Sequence, residues 1–146
     1  MDYKRLALAA VVAWVVDAAF GFVVWGNLLQ ADMAQFPAVF RSEAEMPAMM
    51  PIMFAGSLLS MFALAWIYAK GYEGGSGIAE GARFGAVAGL LMVGFVGMGM
   101  YASTRIGGTF AMKASLATFI EMIVIGVTMG AVYKPAASPA RRPASV

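Results

Sequence analysis

The chain has 146 residues, 62% of them hydrophobic and 12% charged, with a formal net charge of +2 and a mean hydropathy of +0.79. A soluble domain averages about half apolar and about a quarter charged, so this composition belongs to a membrane protein. There is no basic stripe for nucleic acid, which is not expected as a partner. The absence of Cys and His excludes disulfides, thiolate zinc sites, iron–sulfur clusters, Cys nucleophiles and His acid–base catalysis.

Four apolar segments follow in chain order, at about 6–29, 48–69, 78–101 and 110–133. Each is roughly 22–24 residues long, enough for a hydrocarbon core that needs about 20. In lipid the backbone must bond internally, so each segment is predicted to be a helix. The first has a basic start, "MDYKR", but its apolar run exceeds the roughly 7–15 residues of a signal-peptide core. It reads as a retained helix.

The first segment carries Ala9, Ala13, Asp17 and Gly21 four apart. Asp17 therefore lies on a face of small residues, the kind that lets helices approach in lipid. The connection after it, "QADMAQFPAVFRSEAEMPAMMP", contains Pro37, Pro47 and Pro51, which argue against one unbroken helix. A short amphipathic piece around "FPAVFR" is expected at the membrane surface. Met46, Met49, Met50 and Met53 then follow helical spacing. Thioethers suit Cu(I), but copper sites commonly add His or Cys. Gap-filling in apolar contacts is the plainer reading of these methionines.

The second segment ends "WIYAK" and the fourth "AVYKP". A Tyr at headgroup level followed by Lys accounts for both without an internal repeat. The connection "KGYEGGSG" is glycine-rich and is expected to be flexible. Glu80 and Arg83, three apart at the start of the third segment, are expected to pair there. Gly81, Gly85 and Gly89 lie four apart on that helix, and Gly126 and Gly130 repeat the spacing on the fourth. Such faces serve bundle packing within one chain or an interface with another subunit.

Asp17 and Glu121 both fall near mid-depth, each about a dozen residues from a helix end. A charge there costs several kcal/mol, and no Lys or Arg occupies that depth. Ser57, Ser60 and Thr118 lie at similar depth and could donate hydrogen bonds. With the two acids they form a candidate midplane polar cluster. It admits three readings: neutral acids acting as interhelical glue, a proton or cation site, or a contact with a partner subunit. No Gly-rich phosphate loop or Ser/Lys nucleophile arrangement occurs, so neither an enzyme nor a bound cofactor is expected.

Lys4, Arg5, Lys70, Arg83, Lys134, Arg141 and Arg142 fall on one side of the membrane, against Arg41, Arg105 and Lys113 on the other. Seven against three predicts cytoplasmic termini. The final stretch, 135–146, is Pro, Ala and Arg with almost nothing to bury, and reads as a basic cytoplasmic tail.

The stretch "KGYEGGSGIAEGARFGAVAGLLM", Lys70 to Met92, resembles the signature of an uncharacterised family of small four-helix bacterial inner-membrane proteins. These carry a "KGYEG…GIAEG.RFG" inner connection and a Tyr–Lys ending, here Tyr133–Lys134. The resemblance covers most of residues 5–134, with only the inner loop specific. The Gly-Gly-Ser insertion makes that loop longer than the family pattern, and the basic tail lies outside it. The resemblance implies a bacterial inner membrane and four helices, and it carries over no catalytic residue.

The expected fold is all-α, an integral membrane bundle of four transmembrane helices over residues 1–134. The expected function is non-enzymatic: a membrane protein that associates with itself or serves as an accessory subunit of a larger membrane complex. The alternative is a small proton- or cation-linked transporter or channel using the midplane carboxylates.

Overall fold

The computed structural model describes residues 1–133, so the predicted tail at 135–146 and the cations Lys134, Arg141 and Arg142 lie outside the described residues. The described residues are all-helical. Helix α1 covers Tyr3–Val23 and runs on through a π-helical stretch, Val24–Leu28. Helix α2 is the short Gln30–Met33, and α3 covers Met46–Gly71. Helix α4 covers Gly77–Met92, passes through a second π-helical stretch, Val93–Gly97, and continues as α5, Met98–Ser103. Helix α6 covers Gly108–Val132. Four helical runs are long and apolar enough to cross a membrane: Tyr3–Leu28, Met46–Gly71, Gly77–Ser103 and Gly108–Val132. This is the architecture of a multi-pass membrane protein, and its ends differ from the expected ones by one to three residues.

The side carrying the N-terminus and the 72–76 connection is called near, and the side carrying 29–45 and 104–107 far. At the near end Asp2 caps α1, its carboxylate accepting from the Lys4 and Arg5 backbone N–H groups at 3.1 Å each. This satisfies donors that the first turn of a helix otherwise leaves unpaired.

The core lies in the near half. Leu6, Ala9 and Ala13 of α1 meet Met61, Ala65 and Tyr68 of α3 and Met122, Ile125 and Met129 of α6. Tyr68, Tyr72, Phe84 and Tyr133 stack over it, with ring centroids 5.4–6.1 Å apart. Tyr68 and Tyr133 are therefore core residues and not headgroup anchors, contrary to the expectation from sequence; the Tyr68 hydroxyl donates to the Gly77 carbonyl at 3.1 Å. Large apolar side chains such as Phe22, Leu59 and Phe95 point outward, where lipid can receive them.

The closest packing is α4 on α6. A Cβ added to Gly81 or Gly126 would overlap backbone of the other helix, as would one added to Gly77 or Gly130. In lipid, helices gain little from hydrophobic association and depend on such close van der Waals approach. Helix α1 packs on both α3 and α6, whereas the backbones of α3 and α4 hardly approach each other.

On the far side the 29–45 connection folds onto the start of α6. Phe36 and Phe40 pack on Phe110, with centroids 5.6 and 5.4 Å apart. Asp32 takes both its oxygens to Lys113 Nζ, at 3.0 and 2.9 Å. The "FPAVFR" stretch is a turn and not a helix, because its phenyl rings turn back onto α6. Pro47 falls in the first turn of α3 and Pro51 inside the helix. The helix therefore runs through both, and the N–H that Pro51 lacks is lost close to the end, where headgroups and water can serve the Pro47 carbonyl. Glu45, just before α3, accepts from the Ser42 hydroxyl at 2.7 Å and the Ser42 N–H at 3.0 Å. Those bonds, the hydroxyl first, hold its carboxyl below the usual glutamate range, with Arg41 adding to them.

Candidate functional site

Three helices bring polar groups to mid-depth. Asp17 lies about 21 Å along α1 from Tyr3, and Glu121 about 16 Å along α6 from Val132, at 1.5 Å per residue. Both sit near the middle of a core about 30 Å thick. Helix α1 packs on α6, so the two acids stand at similar depth on neighbouring helices. Each is half-buried.

The Ser57 hydroxyl of α3 faces α1 close to Asp17. Trp14, one turn before Asp17, donates its indole N–H to Ser57 Oγ at 3.0 Å and to the Phe54 carbonyl at 3.1 Å. Ser57 Oγ also lies 3.3 Å from that carbonyl. An indole can only donate, so Trp14 occupies a lone pair of Ser57 and leaves one hydroxyl hydrogen to serve either Phe54 O or Asp17.

Glu121 accepts from the Trp25 indole at 3.3 Å. Trp25 belongs to the π-helical stretch of α1. There Leu29 N–H bonds five residues back to Val24 O at 2.8 Å, and the Asn27 side chain donates to Phe22 O at 2.6 Å. The amide of Asn27 thus serves a carbonyl inside the irregular turn. Such π turns occur frequently at functional sites.

Among the described residues no cation pairs with either acid. The ion pairs among the described residues are Arg5–Asp2, Arg41–Glu45 and Lys113–Asp32, all towards the helix ends or in connections. The site therefore has two acids, two indole donors and one hydroxyl, with no internal counter-ion among the described residues.

Of the residues expected at this depth, Asp17, Ser57 and Glu121 lie on helices packed against one another, α1 on both α3 and α6. Ser60 does not: it is exposed and donates to Gly56 O of its own helix at 3.0 Å. Thr118 is half-buried one turn from Glu121 and makes no side-chain hydrogen bond among the described residues. Trp14 and Trp25 were not singled out from sequence. The available signal was Trp14, an indole about 16 Å into a span, where lipid offers its N–H no acceptor.

The glycine faces meet each other within the chain. Gly81 faces Gly126, Gly85 faces Met122 and Ile123, and Gly89 lies under Phe119. Bundle packing thus accounts for Gly81, Gly85, Gly89, Gly126 and Gly130, and these faces are not left over for another subunit. Ala9 and Ala13 are likewise buried inside the bundle, while a Cβ on Gly21 would meet nothing within 4 Å. Met50 and Met53 are exposed on the first turns of α3. Glu80 does not pair with Arg83. Its carboxylate accepts instead from the backbone N–H of Gly75 at 2.6 Å and of Glu73 at 3.2 Å, because the glycine-rich turn before α4 presents those donors to it. Arg83 is exposed.

A scan with protein-family models gives no match to the chain, and comparisons with curated proteins and with solved structures give none either.

Proposed function

We propose that the protein is a small proton-linked transporter or channel in which Asp17 and Glu121 take up and release protons within the membrane. The observation that carries this reading is two acids at mid-depth on the packed helices α1 and α6, with the Trp25 indole donating to Glu121 and no ion pair to either acid among the described residues. Intramembrane carboxyls of this kind typify proton relays. A proton suits the site better than a metal cation. A hard cation needs several oxygen ligands free to face it, and the indole of Trp25 is already directed at Glu121 while that of Trp14 holds Ser57. In this scheme Asp17 and Glu121 accept and release protons, Ser57 orients Asp17, and Trp25 holds Glu121. The bacterial inner membrane and cytoplasmic termini belong to the same proposal. They rest on the inner-loop resemblance and on the excess of Lys and Arg in the near-side segments.

Proton flux into proteoliposomes tests the function. Asp17→Asn and Glu121→Gln are each expected to lower the flux by about a hundredfold or more, the lower end of what proton-transfer groups contribute in enzymes. A flux unchanged by both substitutions overturns the reading. Membership of a larger membrane assembly, by self-association or as an accessory subunit, is the second reading. Its support is that both acids stay half-exposed in the single chain, at a depth where lipid is a poor neighbour. A lone monomer after gentle detergent extraction and native mass measurement counts against it.

A further inference from the structure

In the far half the continuation of α4 approaches α6 less closely, and an open groove of about 480 Å³ lies between them. Its walls include Val93 and Gly97 of the second π-helical stretch, Tyr101 of α5, and Gly108, Ala111 and Ser115 of α6. Glycines let its walls approach each other at both ends. A Cβ on Gly97 would sit 3.0 Å from Ser115 Oγ, and one on Gly108 3.7 Å from the Tyr101 hydroxyl. One polar atom thus lies at the deep end and another at the far mouth, with apolar wall between. The volume falls in the range of ligand-sized sites, about 300–1,000 Å³.

The connection that joins α5 to α6 beyond the far end of the groove carries Arg105. The two other far-side cations are engaged: Arg41 lies 4.0 Å from Glu45 and Lys113 2.9 Å from Asp32. Arg105 is exposed and has no carboxylate within 4.0 Å among the described residues. A cation at headgroup level, a tyrosine at the same level and an apolar trough running down from them complement a ligand with an anionic head and a long hydrocarbon tail.

The geometry points to a binding site for one anionic phospholipid, its acyl chain in the groove between α4–α5 and α6 and its phosphate on Arg105. The tail lies along Val93, Ala111 and Met112. The headgroup gives Arg105 the counter-charge that no described carboxylate supplies. This site is separate from Asp17 and Glu121 and does not depend on their role.

The test incubates the purified full chain, in neutral detergent, with equal amounts of phosphatidylglycerol and phosphatidylcholine. Native mass spectrometry then counts the lipid retained. The expected result is one phosphatidylglycerol per chain, preferred about fivefold over phosphatidylcholine, the size of one cation's attraction to an anionic surface. Arg105→Gln is expected to bring the two lipids to parity. Gly97→Leu and Ala111→Leu fill the groove and are expected to release both. Arg105 is exposed, so Arg105→Gln keeps the test valid if a groove variant fails to fold. Equal retention of both lipids by the unaltered chain overturns the proposal, as does a preference that survives Arg105→Gln. So does lipid retention that survives filling of the groove. Glycerol phosphate competing as well as the intact lipid would mean an anion site without a chain site, and also overturns it. A lipid-free dimer that Gly97→Leu dissociates would make the groove an interface between copies, with the same consequence.

Discussion

Replacing Gly126 by Ala adds one methyl group at one of the tightest contacts in the bundle. The new Cβ would lie 2.8 Å from Gly85 Cα and N and closer still to Gly81 O. All three are backbone atoms, so no side-chain rotation relieves the overlap. Restoring ordinary contact to Gly85 alone requires the helices to part by about 0.6 Å, and relieving Gly81 O requires more. Separation along this seam weakens the neighbouring Gly77–Gly130 and Gly85–Met122 contacts as well. Overpacking of this kind costs about 1–3 kcal/mol, and the rigid partners put Gly126→Ala in the upper half of that range. Gly56 on α3 is the control, because a Cβ there meets nothing within 4 Å. Gly56→Ala is expected to be neutral or to stabilise by up to about 1 kcal/mol, through the helix preference for Ala. Unfolding in mixed micelles with rising dodecyl sulfate, followed by circular dichroism, gives both values. The reasoning fails if Gly126→Ala is as stable as the unaltered chain, or if the two variants shift in the same direction by similar amounts.

Two further outcomes follow from single hydrogen bonds. Trp25→Phe removes the donor to Glu121, so the infrared carboxyl band of Glu121 is expected to move while Trp14→Phe leaves it in place; equal effects of both would contradict the separate pairing. Glu45 is held ionised by Ser42, so its folded-state value is depressed. Any stability linked to it is present above the ordinary glutamate range and is lost as pH falls through the lowered value. A carboxyl titration by nuclear magnetic resonance is expected to give a lower midpoint for Glu45 in the unaltered chain than in Ser42→Ala, and equal midpoints would refute the assignment.

The four spans are legible in the sequence because lipid leaves a long apolar segment no alternative to a helix. The glycine spacing is legible for a similar reason, since few other faces let helices touch in lipid. Asp17 and Glu121 announce themselves by cost, and Ser57 by depth. What spacing does not fix is rotation about the helix axis. Ser57 and Ser60 are one turn apart on α3, yet Ser57 faces α1 while Ser60 is exposed and bonds back to Gly56. The π-helical stretches at Val24–Leu28 and Val93–Gly97 leave no mark in composition, so the inward turn of Trp25 was hidden. Glu80 was misassigned because charge spacing along a helix ignores the backbone donors of the turn beside it.

The seam between α4 and α6 is also a ruler with equal marks. Gly77, Gly81, Gly85 and Gly89 recur every four residues on one side and Gly126 and Gly130 on the other, and the observed register sets Gly77 on Gly130 and Gly81 on Gly126. Sliding α4 by four residues, about 6 Å, would set Gly81 on Gly130 and Gly85 on Gly126, glycine on glycine once more. Glycine spacing alone therefore does not choose between the two positions. The choice falls to features without that period, above all the Tyr68 hydroxyl on Gly77 O and the Phe84 ring against Tyr68. The aromatic cluster at the near end is thus the index pin of the bundle, fixing where along the rail the two helices stop.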